Sequence, residues 1–129
     1  MVKWEGDSMI IGVLTAHLHL HVGPGVQEFR FVKGPQNKSP RKNGKTGGWA
    51  INSLKQKRSV VKSLIGRLKA RFNVSVAEVD HQDNKTRAVI AVAMVSNDTR
   101  FIDKQFDAII AFMRRDGRFY LGEIERETF

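Results

Sequence analysis

Three histidines alternate with leucine at His17, His19 and His21. Imidazoles ligate metals, attack phosphorus or move protons, so the run HLHLHV is the first place to look for chemistry. On a strand, alternate residues share a face and stand about 6.6–6.8 Å apart, which separates His17 from His21 by about 13 Å. With zinc–nitrogen bonds of about 2.0–2.1 Å, a neighbouring pair could share an ion, but three from one flat strand do not converge on it. No cysteine is present to complete a site, and the fourth histidine, His81, would have to come from another strand. The expectation is an open or subunit-facing histidine surface, with no metal and no cofactor.

The second set of candidate residues is cationic. At about 100° per residue, Lys55, Arg58, Lys62 and Lys69 fall within roughly 60° of one another on a helix. Such a stripe offers positive charge to phosphates from a rigid element, at little cost in ordering. Lys57 points toward the apolar side at the first turn and is expected to snorkel outward and assist. Arg67 and Arg71 lie on the far flank.

The distribution of charge supports this reading. The 129 residues carry 22 Lys and Arg against 13 Asp and Glu, a net charge of +9. Between residues 29 and 77 there is no acid and there are 13 Lys or Arg, so this one segment holds more than the whole excess. A lopsided basic footprint implies a polyanion, most often nucleic acid; a solvated basic face without a partner is the competing explanation. Within this segment, residues 23–52 contain all three prolines and read as a long Gly/Pro/Lys-rich arm or loop. Arg41, Lys42 and Lys45 add charge there, and Phe29, Phe31 and Trp49 could stack on unpaired bases.

Two other motifs carry less. NGKTG at 43–47 resembles part of a phosphate-binding loop, but Ser39 stands where the pattern needs glycine, and Gly47–Gly48 is a poor helix start. EVDHQD at 78–83 gathers acids beside His81, at a position better suited to setting a turn than to acid–base catalysis.

The elements that would position these groups follow from periodicity. Residues 9–21 alternate, with Ile10, Leu14, Ala16, Leu18 and Leu20 on one face and Ile11, Val13, Thr15 and the histidines on the other, which predicts a strand. Residues 53–72 predict a helix capped by Ser53, with Leu54, Val61, Leu64, Ile65, Leu68 and Phe72 on its apolar face. Gly66, beside the cationic stripe, reads as a tolerated surface glycine. Strands are predicted over 74–80 and 87–96, with Asn84 in the turn between them. The second of these is apolar on both faces, as in a central or interface strand. Asp98 is placed to cap a helix over 99–115, with Ile102, Phe106, Ile109 and Met113 inward and Arg114 and Arg115 at the negative end of its dipole. A weaker strand follows over 119–127. The order βαββαβ predicts an α+β, ferredoxin-like fold: a four-stranded antiparallel sheet with two helices on one face and a long insertion after strand 1. It would form a single domain over 9–129, preceded by an extension over 1–8.

Several of these stretches are similar to one family. MIIGVLT at 9–15, SLKQKRSVVKSL at 53–64, FNVSVAEVDHQD at 72–83 and RAVIAVAMVSND at 87–98 together resemble the YlxP-like proteins, a bacterial family of unknown function. The resemblance implies the same ferredoxin-like fold and a translation or ribosome-maturation setting. It supplies no catalytic residue. The extension and the arm of about 25–30 residues depart from the family pattern. The hexapeptide HLHLHV separately resembles the histidine-triad motif of nucleotide hydrolases and transferases, in which the middle histidine, here His19, is the nucleophile. Only 16 residues precede His17, whereas that family's motif comes late in its domain.

The resulting expectation is a non-enzymatic, RNA- or ribosome-associated protein. Lys55, Lys57, Arg58, Lys62, Lys69, Arg41, Lys42 and Lys45 would hold phosphates. The alternatives are a histidine-triad-like nucleotide enzyme using His19, or a protein-interaction module. The open sheet face is a candidate homodimer surface. The sheet is a poor stacking platform, because its predicted central strands lack Phe, Tyr and Trp. No apolar run reaches the roughly 18 residues of a membrane span. The lack of cysteine and of a cleavage site after the apolar stretch 9–16 fits a cytoplasmic location.

Overall fold

The computed structural model describes residues 9–21 and 53–129. Its elements run β1 (Ile10–Leu20), α1 (Leu54–Arg71), β2 (Ser75–Asp80), β3 (Arg87–Ser96), α2 (Thr99–Arg114) and β4 (Phe119–Thr128). Residues 1–8 and the arm over 23–52, with Arg41, Lys42 and Lys45, lie outside the described residues.

The four described strands form one sheet in the order β2-β3-β1-β4. Every neighbouring pair is antiparallel. This order, with helices in the two crossovers, is the ferredoxin-like arrangement. The period-two pattern of β1 is realised directly. Leu14, Ala16, Leu18 and Leu20 are buried under the helices, together with Ala88, Ile90, Val92 and Met94 of β3. β3 is central, as its apolar character predicts, but among the described residues the helices cover one of its faces. On its other face Val89 is buried, while Val95 is 62% exposed.

Both helix starts are fixed by side chains. Ser53 caps α1, its hydroxyl accepting from the Gln56 N–H at 3.1 Å. Asp98 caps α2, its carboxylate accepting from the Arg100 N–H at 3.0 Å. Each cap satisfies a donor that the first helical turn leaves without an intrahelical partner. α1 buries Val61, Leu64 and Leu68, and α2 buries Ile102, Phe106, Ile109 and Met113. Gly12 allows α2 to sit low on β1, because a Cβ there would lie 2.6 Å from the Ile102 Cγ2. Arg126 on β4 pairs with Asp103 and Asp107, tying α2 to the sheet edge.

Candidate nucleic-acid interface

The 18 residues of α1 span about 27 Å at 1.5 Å per residue. Its buried face turns Lys55, Arg58, Lys62 and Lys69 outward together, on the flank away from α2, and all four are exposed. Lys55, Lys62 and Lys69 have no acidic partner among the described residues. Arg58 meets Asp83 at 3.4 Å, but both side chains lie largely in water. An ion pair of that kind contributes about 0–1 kcal/mol, so its guanidinium is readily exchanged for another anion.

Lys57 overturns one expectation. It does not snorkel to the surface: its side chain is 0% exposed and its amine is fully engaged beneath the β2–β3 turn. The Nζ donates to the Glu78 Oε2 at 2.5 Å, the His81 carbonyl at 2.9 Å and the Gln82 carbonyl at 3.3 Å. With three acceptors in place and the stem packed in the core, the ammonium has no path to a phosphate. Lys57 is therefore a structural residue and leaves the set of candidate phosphate ligands.

The same contacts explain EVDHQD. Glu78 is the counter-ion of Lys57, and His81 takes a left-handed backbone with φ of 62°. Asp80 accepts from the His81 N–H at 2.7 Å. The His81 carbonyl accepts from the Asn84 N–H at 3.0 Å, and the Asn84 side chain accepts from the Thr86 and Arg87 N–H groups. These are turn-forming hydrogen bonds, that from the Thr86 N–H to the Asn84 side chain being of the Asx type.

The histidines occupy the sheet face opposite the helices. His19 stacks on Tyr120 of β4 with ring centroids 4.8 Å apart, and His21 approaches the same ring at 5.9 Å. Gly122 makes room for the His19 ring, since a Cβ there would lie 2.6 Å from its Nε2. Among the described residues no group of three His, Asp or Glu side chains is arranged to hold a metal. On the same face Val95, Ile11 and Phe129 form a row across β3, β1 and the end of β4, each exposed.

One cluster is assembled only by the packing of the two helices. Arg67 and Arg71, on the inner flank of α1, meet Arg115 from the end of α2. The doublet Arg114–Arg115 and the i, i+4 pair Arg67/Arg71 were visible as cations. Only the packing of one helix beside the other brings them to one place.

No described helix is long and apolar enough to cross a membrane. Comparison with known proteins adds the family. Residues 49–126 match the family model described as "Protein of unknown function (DUF503)". The chain is also 36% identical over 61 residues to the "Uncharacterized protein YlxP" of Bacillus subtilis (strain 168). That alignment covers 47% of this chain and 66% of the relative, just under two thirds of its length. The matched family segment takes in α1, β2, β3, α2 and most of β4, and it begins at residue 49, within the last residues of the 23–52 stretch. On the extent of that match, the chain belongs to the DUF503 family of proteins of unknown function, to which the motifs along α1, β2 and β3 had pointed.

Proposed function

We propose that the protein is a non-enzymatic RNA-binding protein that holds a phosphate backbone along the outer flank of α1. The observation that carries this reading is the stripe Lys55, Arg58, Lys62 and Lys69: four exposed cations on one face, three without an acidic partner among the described residues. The N-terminal part of the stripe is unfavourable for the helix itself, whereas Lys69 in the last turn suits its dipole. No acid stands in the first turn of α1, and Lys55 and Arg58 lie at the positive end of its dipole. Like charges three and four residues apart add repulsion of about 0.2–0.5 kcal/mol per pair. A polyanion relieves both effects. Arg41, Lys42 and Lys45 of the arm would extend the same charge, and the arm's aromatics would stack on unpaired bases. A ribosome-maturation or translation setting, implied by the family resemblance, makes ribosomal RNA the first partner to test.

The experiment is a salt titration of RNA binding. Four phosphate contacts to a single strand give a slope of about −3 in log affinity against log salt. Changing Lys55, Arg58, Lys62 and Lys69 together to Glu should abolish binding and leave the helical circular dichroism intact. Salt-independent binding, or an unaltered affinity in that variant, would refute the reading.

A second reading rests on the open sheet face. The exposed row Val95, Ile11 and Phe129 is an apolar strip that a second copy of the chain would cover. Sedimentation of the wild type and of Val95→Lys tests it. A dimer that the substitution dissociates supports a homodimer interface, and a monomeric wild type at high concentration removes it.

A further inference from the structure

The ends of α1 and α2 border an open groove of about 440 Å³, lined by Arg67, Ala70, Arg71, Phe112, Arg115 and Asp116. This volume is in the range of small-molecule sites. Its basic side chains are not those of the outer stripe. Arg71 is held in place by an aromatic ring: its guanidinium carbon lies 4.8 Å from the centroid of Phe112, and Phe72 meets the same ring edge-on at 6.3 Å. A cation fixed over a ring in this way loses less freedom when it takes a ligand.

The one acid in the groove among the described residues does not neutralise these arginines. The Asp116 side chain is 7% exposed, and both of its oxygens are used by Arg118. The Arg118 Nε and backbone N–H donate to Oδ1, each at 2.9 Å, and Nη2 donates to Oδ2 at 2.6 Å. Arg67 reaches the same carboxylate only at 3.7 Å, and Arg115 has no acidic partner among the described residues. With Asp116 and Arg118 cancelling, Arg67, Arg71 and Arg115 leave three positive charges at the groove.

Cations at helix C-termini are ordinarily explained by the helix dipole. Two helix ends supply about −0.5 charge each, so the dipoles account for about one of the three positive charges. A surplus of about two remains, and a phosphate monoester carries about −1.5 to −2 at neutral pH. Guanidinium forks match phosphate oxygens in geometry as well as in charge. The apolar surface of Ala70 and Phe112 would lie against the body of the ligand.

We propose that this groove binds a terminal phosphate monoester, as carried by a nucleoside monophosphate or by the 5′ end of an RNA strand. Arg67 and Arg115 provide the forks, and Arg71 is the pre-oriented third cation. The site stands independently of the outer stripe, because none of its residues belongs to it.

Nuclear magnetic resonance titration of the full, isotope-labelled chain tests the proposal with AMP, adenosine, and a short RNA bearing either a 5′-phosphate or a 5′-hydroxyl. AMP should move the amides at the C-terminal ends of α1 and α2 at concentrations up to about 1 mM, and adenosine should not. Arg67→Gln with Arg115→Gln should weaken AMP binding by about tenfold or more, since each removes a charge-assisted contact. The exposed single variant Arg115→Gln, which removes no buried contact, should weaken it in the same direction. Changing Lys55, Lys62 and Lys69 to Glu should leave AMP binding in place, which separates this site from the stripe. Preference for the 5′-phosphorylated strand over the 5′-hydroxyl strand assigns the site to RNA ends; AMP binding without that preference assigns it to free nucleotides. Equal responses to AMP and adenosine, no response to either, or an unchanged AMP affinity in the arginine variants would overturn the proposal.

Discussion

Replacing Lys57 by Met is the sharpest test of how this helix divides its cations. The amine is surrounded by Glu78 at 2.5 Å and the carbonyls of His81 and Gln82 at 2.9 and 3.3 Å. Removing it leaves the Glu78 carboxylate, 14% exposed, without its counter-ion, and takes a donor from two carbonyls of the turn. Breaking a buried pair by deleting one partner costs about 3–5 kcal/mol. The slight exposure of Glu78 places this case at the lower end, about 3 kcal/mol. For a chain of this size that lowers the melting temperature by roughly 10–15 °C. The double change Lys57→Met with Glu78→Leu should recover most of the loss, because it exchanges the pair for apolar packing. Thermal and urea denaturation measure both variants. RNA affinity, measured well below the melting transition, should stay within about twofold of wild type for Lys57→Met, while Lys62→Glu lowers it as a lost phosphate contact does. A Lys57→Met protein as stable as wild type, but as impaired in RNA binding as Lys62→Glu, would show that Lys57 is a ligand and that the burial argument is wrong.

Other predictions concern packing and acid stability. Gly12→Ala places a Cβ 2.6 Å from Ile102 Cγ2 and 3.1 Å from the Phe106 ring, and should cost about 1–3 kcal/mol in urea denaturation as α2 is lifted from β1. Gly66→Ala meets nothing within 4 Å and should add about 1 kcal/mol through helix propensity. At Asp116 burial by itself would raise the carboxyl's pKa, but the hydrogen bonds from Arg118 and the charges of Arg118 and Arg67 outweigh it and hold the carboxyl below the ordinary range. Since the folded value lies below the unfolded one of about 3.9, this carboxylate's contribution is complete above that pH and is lost as pH falls through the folded value. Asp116→Asn should therefore flatten the acid limb of the stability profile below about pH 4, and an unchanged acid limb would contradict the sign.

Much of the architecture is written in short-range patterns. Alternation over β1 places Leu14, Ala16, Leu18 and Leu20 inward, and the structure buries all four. Ser53 and Asp98 mark both helix starts because capping is a local hydrogen bond. The outward placement of Lys55, Arg58, Lys62 and Lys69 follows from helical geometry once the apolar face is known. Sequence reading loses sight of contacts whose partners come from other elements. The position of Lys57 on the helix was legible, but its three acceptors come from β2 and the turn after it. The convergence of Arg67 and Arg71 with Arg115 needs the two helices side by side, and nothing in either helix alone announces it.

The cations of α1 thus have three fates, decided by direction rather than by residue type. Toward the sheet, a lysine is useful only if acceptors meet it, and Glu78, His81 and Gln82 do so for Lys57. Toward α2, Arg71 and Arg67 are drawn into contacts with Phe112 and Asp116, which orient them without cancelling their charge. On the outer flank the one acid in reach among the described residues is Asp83, held by Arg58 at 3.4 Å in open water. An intrinsic stabilising role explains the first set, and the helix dipole explains part of the second. The dipole accommodates Lys69 in the last turn, but neither explains the rest of the third set, because Lys55 and Arg58 stand near the end of the helix where the dipole opposes them. A partner that brings negative charge to this flank resolves that mismatch. For this reason the functional proposal rests on the stripe rather than on the total charge of the chain.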